Sequence, residues 1–257
     1  ACHANFTPAH RLRSMVWYRT EKRMSSIQPQ FKQKTIRSYV IRGGRITPPQ
    51  EKALSEQWPR YGLDLHKGTA ALNDAFPNDA PLILEIGFGM GDSLLAMAER
   101  FPEHNFIGIE VHLPGVGRLI NEAQKRNLDN LKVFCADATD VLADCIADSS
   151  LTRLQLYFPD PWHKARHHKR RIVQPAFVNL VAQKLKDNGV LHMATDWEHY
   201  AEAMLEVAML CPHLQNSSDT QQFSKRPDYR PETKFERRGQ QLGHGVWDLV
   251  FYKPPQP

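Results

Sequence analysis

A short apolar segment that runs directly into three closely spaced glycines restricts the fold of this chain more than any other feature. Residues 81–86 (PLILEI) have the length and composition of a buried strand, and Gly87, Gly89 and Gly91 follow at alternate positions. Residues 92–100 then begin with an aspartate and show helical spacing of apolar residues. Glycine is needed where the backbone turns sharply or approaches a ligand without an intervening Cβ atom. The pattern predicts a strand, a tight glycine loop and a helix.

The residues that follow alternate between strand-like and helical patterns. Further strand candidates lie at 105–110, 131–135, 153–158 and 190–194, with a late one at 246–252. Helical candidates lie between and after them at 116–127, 140–147, 174–187 and 197–210. Strands separated by helices of this length pair in parallel through right-handed crossovers, which predicts an α/β fold with a doubly wound sheet and helices on both faces. Ligands of such sheets bind at the carboxyl ends of the strands.

Positive charge is concentrated near the N-terminus. Residues 1–60 contain 12 Lys or Arg against 3 Asp or Glu, whereas residues 61–257 contain 21 against 25. The stretch 31–45 (FKQKTIRSYVIRGGR) has no acidic residue and interleaves its cations with Phe31 and Tyr39. This composition is typical of an arm that binds a polyanion, although a solvated flexible tail has the same composition.

Three regions are expected along the chain. Because the first residue is Ala rather than Met, we expect residues 1–30 to be flexible or of non-native origin. A basic N-terminal arm is expected at 31–60 and the main domain at 61–257.

A cytoplasmic protein without a membrane span is expected. No window of about 18 apolar residues occurs, and the N-terminal residues lack the apolar block of a secretory signal. The four cysteines, at positions 2, 135, 145 and 211, form no C-x-x-C pair and no dense framework. Neither structural zinc nor a disulfide scaffold is therefore expected, and a reducing compartment fits best.

Three acidic residues stand where successive predicted strands end. Glu85 directly precedes the glycines, where a carboxylate suits a cationic ligand. Glu110 follows Gly87 by 23 positions, where a carboxylate can accept from both hydroxyls of a ribose. Asp137 follows the third strand and could accept from an adenine amino group. Ordinary loop polarity remains an alternative for Glu110 and Asp137.

The fourth predicted strand runs into a stiff loop with one carboxylate. Pro159 and Pro161 fix the backbone on both sides of Asp160, which suits a group that must be held in place at a ligand cleft, although such a turn could simply end a strand. Trp162 could pack under a cofactor or stack on a base. The run 163–171 (HKARHHKRR) could bind phosphates.

Other chemistries have little support in the sequence. No G-x-S-x-G motif occurs, and no cysteine neighbours a suitable histidine, so a hydrolase nucleophile is not expected. His163 and His167 are four positions apart, but no nearby Asp, Glu or Cys completes a metal site, so we expect none.

Five motifs, in this order and spacing, carry a resemblance to a known family. They are EIGFGMG (85–91), IGIEVH (107–112), FPDPWHKARHHKRR (158–171), MATDWE (193–198) and RPETKFERRG (230–239). Together they resemble the bacterial tRNA (guanine-N7)-methyltransferases over about residues 36 to 252. The resemblance implies a Rossmann-like class I methyltransferase sheet that is mostly parallel with an antiparallel late strand, S-adenosyl-L-methionine as cofactor, and methylation of a guanosine in the tRNA variable loop.

The resemblance also implies roles for individual residues. Cofactor contacts fall on Glu85, Gly87, Gly89, Gly91, Glu110, Asp137 and Asp160, with Asp160 also at the reaction centre. Substrate contacts fall on Lys164, Asp196, Thr233, Lys234, Phe235 and Glu236. RNA contacts fall on Arg166, His167, His168, Lys169, Arg170 and Arg171. The Thr195 to Trp197 stretch could equally cap a helix. tRNA is the implied partner, with no obligatory protein partner, so a monomer or homodimer is expected.

Two alternatives stay open at this point. One is a methyltransferase that acts on another RNA or on a small molecule. The other is a non-catalytic RNA-binding module that keeps the fold, against which the glycine loop and its three acidic residues argue.

Overall fold

The computed structural model describes residues 30–32, 36–40, 44–232, 236 and 245–255. Of the predicted features, the N-terminal segment up to residue 29 and the substrate candidates Thr233, Lys234 and Phe235 lie outside these residues.

The described residues form one sheet of eight strands. In chain order these are β1 (Gly62–Leu63), β2 (Leu82–Ile86), β3 (Asn105–Ile109), β4 (Leu131–Phe134), β5 (Leu151–Tyr157), β6 (Leu185–Thr195), β7 (Gln215–Asn216) and β8 (Trp247–Tyr252). Their spatial order is β1-β4-β3-β2-β5-β6-β8-β7, parallel from β1 through β6, and β8 is antiparallel to both β6 and β7. The predicted doubly wound fold with its antiparallel late strand is confirmed.

The sheet positions a ligand crevice through its strand order. From β2 the chain first builds outwards through β3 and β4, and then returns to the other side of β2 with β5 and β6. The helices that leave β2 and β5 therefore lie on opposite faces, and a crevice opens above the carboxyl ends of these two strands. Glu85 pairs with Gln155 in this central pair, one residue before β2 ends.

Helices cover both faces of the sheet. They are α1 (Pro48–Tyr61), α2 (Asp92–Arg100), α3 (Leu113–Lys125), α4 (Ala138–Asp144), α5 (Pro175–Lys184) and α6 (Glu198–Met209), with 3₁₀ helices at Leu65–Leu72 and Ala165–Arg170. Alternation along β2 divides the core, since Ile83 packs with the α1–α3 side and Leu84 and Ile86 pack with the α4–α6 side. None of the described helices is long and apolar enough to span a bilayer.

Helix α1 lies inside the predicted basic arm and was not predicted from the sequence. Pro48 and Pro49 occupy its first turn, and Thr47 begins it with its backbone N–H donated to the Gln50 side chain at 2.8 Å. The helix has few apolar residues, and Leu54 is buried against α3. Packing on α3 thus stabilises a helix whose own sequence signal is weak.

Candidate active site

A cavity of about 570 Å³ opens at the carboxyl edge of the central strands. Loops after β2, β3 and β5 line it, and the segment 38–40 of the basic arm lies across it. Among the predicted site residues, the lining includes Gly87, Glu110 and Asp160. The sheet therefore brings the glycine loop, one acidic residue and the Pro-Asp-Pro loop to one space.

All three loop glycines adopt a backbone conformation that disfavours other residues. Their φ angles are 72° at Gly87, 57° at Gly89 and 82° at Gly91. A Cβ atom on Gly91 would also lie 2.5 Å from Leu119 Cδ1 of α3, and one on Gly115 would lie 2.1 Å from the Gly89 carbonyl oxygen. The loop can thus adopt this tight conformation, packed against α3, because these positions have no side chain.

Glu110 fixes this loop through the backbone. Its Oε2 accepts a hydrogen bond from Gly89 N at 2.8 Å, and its Oε1 accepts from Val111 N at 2.6 Å and from His112 N at 3.0 Å. The carboxylate is 9% exposed and lines the cavity. Three backbone donors hold it in place, so it offers its remaining acceptor capacity towards the cavity at a fixed position.

Asp137 lies beside the cavity and caps a helix. Its Oδ1 accepts from the backbone N–H of Thr139 at 2.9 Å and from the Thr139 hydroxyl at 2.6 Å. Asp137 is thereby the N-cap residue of α4. Tyr39 of the arm lines the cavity nearby, and burial and the Asp137 carboxylate raise the pKa of this phenol. Asp137 therefore both caps α4 and interacts with Tyr39 of the arm. Its predicted cofactor contact stays a prediction.

Glu85 lies one layer below the loop, inside the sheet. It is 3% exposed, and its Oε2 has no hydrogen-bond partner among the described residues. Burial raises the pKa of Glu85 to about 8, an effect that Arg153 opposes and Glu110 reinforces. At neutral pH this side chain is therefore largely protonated, unlike the carboxylate that an exposed glutamate would present.

The Pro-Asp-Pro loop is held at both ends. Phe158 N donates to the Ala194 carbonyl at 2.7 Å, and both Phe158 (φ 50°) and Trp162 (φ 46°) have left-handed backbone conformations. Such conformations cost free energy in non-glycine residues and are found at constrained sites. Between them Asp160 is exposed and lines the cavity. The indole N–H of Trp162 donates to the Ser38 carbonyl at 3.1 Å, which joins this loop to the arm.

The predicted RNA-binding run separates into two environments. Lys164, Arg166 and Lys169 are exposed on or beside the 3₁₀ helix, and the Arg170 guanidinium stacks on Trp162 at 4.5 Å. Partial burial and the adjacent Arg166 lower the pKa of His167, which leaves its ring neutral at pH 7. The exposed charge of this surface is therefore carried by Lys164, Arg166 and Lys169, and His167 does not add to it.

Arg171 differs from its neighbours. It is 5% exposed, its Nε donates to the Pro161 carbonyl at 2.9 Å, and its guanidinium stacks on Tyr200 of α6 at 4.6 Å. The structure thus places Arg171 beneath the Pro-Asp-Pro loop, where it supports the backbone that carries Asp160. Its predicted RNA contact stays a prediction that this burial does not favour.

Asp196 follows β6 at the same edge of the sheet. It is partly exposed, and the Thr195 hydroxyl, not the Asp196 carboxylate, accepts from the Trp197 backbone N–H at 3.2 Å before α6 begins. Trp197 is 38% exposed and packs edge-on against His163 at 4.3 Å. The segment after β6 therefore packs against the segment that follows the Asp160 loop, while Asp196 itself is not among the described residues that line the cavity.

Glu236 is buried away from solvent. It is 3% exposed and pairs with Arg230, which also pairs with Asp248 of β8. Sequence reasoning did not single out Arg230, Asp248 or His192. Arg230 stands in the RPETKFERRG motif, but nothing in the sequence pairs it with a strand eighteen residues later.

These features define a class of protein. Residues 79–249 match a family described as putative methyltransferases. The crystal structure of the 16S rRNA methyltransferase KamB resembles this chain with a TM-score of 0.55 and 14% identity, over 72% of this chain and 94% of that one, which is a likeness of fold. The chain is an S-adenosylmethionine-dependent methyltransferase with the class I fold.

Sequence similarity identifies the family. The chain is 58% identical over 225 residues to the tRNA (guanine-N(7)-)-methyltransferase of Saccharophagus degradans, which covers 88% of this chain and 98% of the relative. It is 59% identical over 216 residues to the enzyme of that name from Shewanella amazonensis, covering 84% and 91%. The chain belongs to the tRNA (guanine-N(7)-)-methyltransferase family, which confirms the resemblance that its motifs predict.

Proposed function

We propose that this chain methylates N7 of a guanosine in the variable loop of tRNA and forms 7-methylguanosine. One observation carries the proposal: Asp160, in a loop constrained on both sides, borders the cavity that Glu110 and the glycine loop border, and an exposed basic helix follows it directly. Cofactor, target base and RNA backbone would then meet at one edge of the sheet.

The cavity fits S-adenosyl-L-methionine by size and by chemistry. Its volume of about 570 Å³ is within the range of small-molecule sites. Glu110 would accept from the ribose hydroxyls, Gly87 and Gly89 would let the backbone approach the ligand, and the apolar wall at Ile109 and Leu156 would contact the adenosyl moiety. The chemistry that the cofactor supplies is an electrophilic methyl group on a sulfonium centre.

Guanine N7 has a lone pair and no proton, so no side chain has to act as a general base. The protein's contribution is therefore placement and electrostatics. Methylation makes the purine cationic; the Asp160 carboxylate borders the cavity, and Asp196 follows β6 at the same edge of the sheet. We assign stabilisation of this charge to Asp160, with selection of guanine through its N1–H and amino group as the alternative role for either carboxylate.

Binding of tRNA is assigned to the basic 3₁₀ helix and to the arm. The exposed cations of residues 164–170 would contact phosphates, which supplies affinity without sequence specificity. The arm lines the cavity with residues 38–40, and Arg37 directly precedes them. We further propose that the enzyme acts in the cytoplasm, as a monomer or homodimer, without an obligatory partner protein.

Transfer of labelled methyl from S-adenosylmethionine to bulk tRNA, followed by nucleoside analysis, tests the proposal. Label in 7-methylguanosine is the expected result. Label in another nucleoside would refute the position of methylation. A chain that binds the cofactor but labels no tRNA would favour the alternative of a different RNA or a small-molecule substrate.

A further inference from the structure

A continuous chain of buried polar side chains connects the wall of the cavity to Glu236. The Tyr157 hydroxyl lies 3.0 Å from His192 Nδ1, and His192 Nε2 lies 2.7 Å from Asp248 Oδ1. Arg230 donates to both oxygens of Asp248, from Nε at 2.7 Å and from Nη2 at 2.9 Å. It also donates to both oxygens of Glu236, from Nη1 at 2.7 Å and from Nη2 at 3.0 Å.

Tyr157, His192 and Asp248 lie on one face of three adjacent strands. Tyr157 of β5 pairs with Ala194 of β6, and Ala194 pairs with Asp248 of β8. His192 is two residues before Ala194 and so points to the same side. All members are at least 93% removed from solvent, with Tyr157 the most exposed at 7% and His192 at 0%.

The network is satisfied in charge and in hydrogen bonding. Burial lowers the pKa of His192, although Asp248 opposes this, so the ring is neutral at pH 7. A neutral ring with its proton on Nε2 donates to Asp248 and accepts from Tyr157 at Nδ1. Arg230 then serves two carboxylates at once, and Arg226 at the protein surface adds a third donor to Glu236 at 3.3 Å.

Both ends of this network belong to segments of the candidate active site. Tyr157 and Phe158 line the cavity, and Pro159 and Asp160 follow them directly. At the other end, Glu236 adjoins residues 233–235, to which the family resemblance assigns substrate contacts. Burial of several charges costs desolvation free energy that apolar side chains would not incur. A network of this kind is therefore better explained by the geometry that it imposes than by stability.

We propose that Arg230, held by Asp248, which His192 orients in turn, is a positioning residue for the methyl transfer, and that Glu236 acts through Arg230 rather than as a guanine ligand. The inference deepens the proposed function and rests on it. Two bidentate pairs on one guanidinium fix Glu236 relative to Asp248 of β8, and the register of β8, β6 and β5 relates both to the Asp160 loop.

The experiment compares Arg230→Lys, Glu236→Gln and the double variant in methyl transfer to tRNA at saturating S-adenosylmethionine. Lysine keeps the charge but cannot make two bidentate pairs. We expect each single change to lower the maximal rate by about thirtyfold, because base placement is lost, while the KM for tRNA changes by less than about threefold, because phosphate contacts dominate affinity. The two single changes remove the same interaction. The double variant should therefore be at most about threefold slower than the slower of the two single variants.

A matched control separates positioning from stability. Lys184→Gln breaks an ion pair whose lysine is buried and whose partner, Asp148 at 2.7 Å, is exposed, at the opposite edge of the sheet where β6 begins. It should lower the melting temperature and leave the rate within about threefold of wild type. Calorimetry of cofactor binding checks that the cavity is intact in every variant.

Several outcomes would overturn the inference. Single variants with near wild-type rates would show that the network positions nothing. If the rate reduction in the double variant equals the product of the two single reductions, Glu236 contacts the substrate independently of Arg230. If only the KM for tRNA changes, the network is part of the RNA-binding surface. If Arg230→Lys fails to fold, Glu236→Gln, Asp248→Asn and their double variant are compared instead, because Glu236 and Asp248 bind the same guanidinium. Failure of wild type to label tRNA would instead count against the proposed function.

Discussion

The two halves of the active site hold their acidic groups in different ways. In the cofactor half, after β2, β3 and β4, the carboxylates of Glu110 and Asp137 accept from backbone N–H groups. Most of these donors directly follow the acidic residue along the chain, and one, Gly89 N, belongs to the glycine loop. In the substrate half, the groups behind the Asp160 loop are held by other side chains, with Arg171 on Pro161 and Arg230 between two carboxylates.

The two halves differ in whether their contacts depend on a nearby stretch of sequence or on the assembled sheet. A carboxylate bound to backbone donors depends on loop conformation, which glycines and helix starts encode within a few residues. A guanidinium between Glu236 and Asp248 depends on the whole sheet being assembled. Changes in the cofactor half should therefore affect cofactor affinity, and changes in the substrate half should affect rate or RNA affinity.

The largest effect is expected for Asp160→Asn. The change keeps the shape of the side chain and removes the negative charge that would face the methylated purine. We expect the maximal rate to fall by about a hundredfold or more, the order found when one preorganised electrostatic group is removed from an active site. Single-turnover transfer to tRNA measures it, with cofactor affinity determined separately by calorimetry.

Asp187→Asn, in the exposed turn within β6 at the far edge of the sheet, is the control and should leave the rate unchanged. A loss of less than about tenfold at Asp160, with tRNA affinity intact, would remove the basis for the electrostatic role.

Glu110→Gln is expected to weaken cofactor binding selectively. The amide leaves one oxygen for three backbone donors and presents an N–H group where acceptors are needed, so the loop loses its anchor. We expect S-adenosylmethionine affinity to fall by about thirtyfold and tRNA affinity to change little. Calorimetry with the cofactor alone is the measurement, and Glu122→Gln on the surface of α3 is the control. Equal losses for both ligands would show that the two halves are not separable.

A smaller effect is expected when Arg166, Lys169 and Arg170 are all changed to Gln. Affinity for tRNA near physiological salt should fall by about tenfold, and the slope of log affinity against log salt should flatten by about 2, since each phosphate contact contributes about 0.7 to 0.9. Arg171 is left intact because it is buried beneath the loop.

Lys125 and Arg126 at the end of α3 and Lys186 near the start of β6 form the control, because these cations lie outside both the basic arm and the 3₁₀ helix. An unchanged salt slope in the first variant, or an equal change in the control, would refute the assignment of RNA binding to residues 165–170.

The sequence predicts the cofactor half well, because its signals are local. The glycine spacing predicts the loop at Gly87 to Gly91, and the apolar runs predict the central strands to within a few residues. It does not predict α1, which has few apolar residues and is stabilised by α3. It also groups Arg171 with exposed cations, since a run of basic residues does not show which member turns inwards.

Glu85 offers the smallest and most specific test of the comparison. It lies in the cofactor half, yet no described group bonds its Oε2 and burial raises its pKa to about 8. An unfolded glutamate releases its proton near pH 4.5, so between about pH 5 and pH 8 the folded state holds a proton that the unfolded state has lost. The free energy of unfolding should therefore fall as pH rises through this window, by up to about 1.4 kcal/mol per unit from this group.

Glu85→Gln mimics the protonated side chain and cannot titrate. Denaturant unfolding at pH 5.5, 6.5 and 7.5 should show a shallower pH dependence for the variant than for wild type, by about 1 kcal/mol per unit, with the variant the more stable of the two at pH 7.5. Glu122→Gln, whose carboxylate pairs with Lys125 at the surface, should leave the slope above pH 5 unchanged. Parallel curves for wild type and Glu85→Gln would mean that Glu85 is ionised in the folded protein. It would then be held by charge like the acidic groups of the substrate half, and the division between the two halves would fail at this residue of the cofactor half.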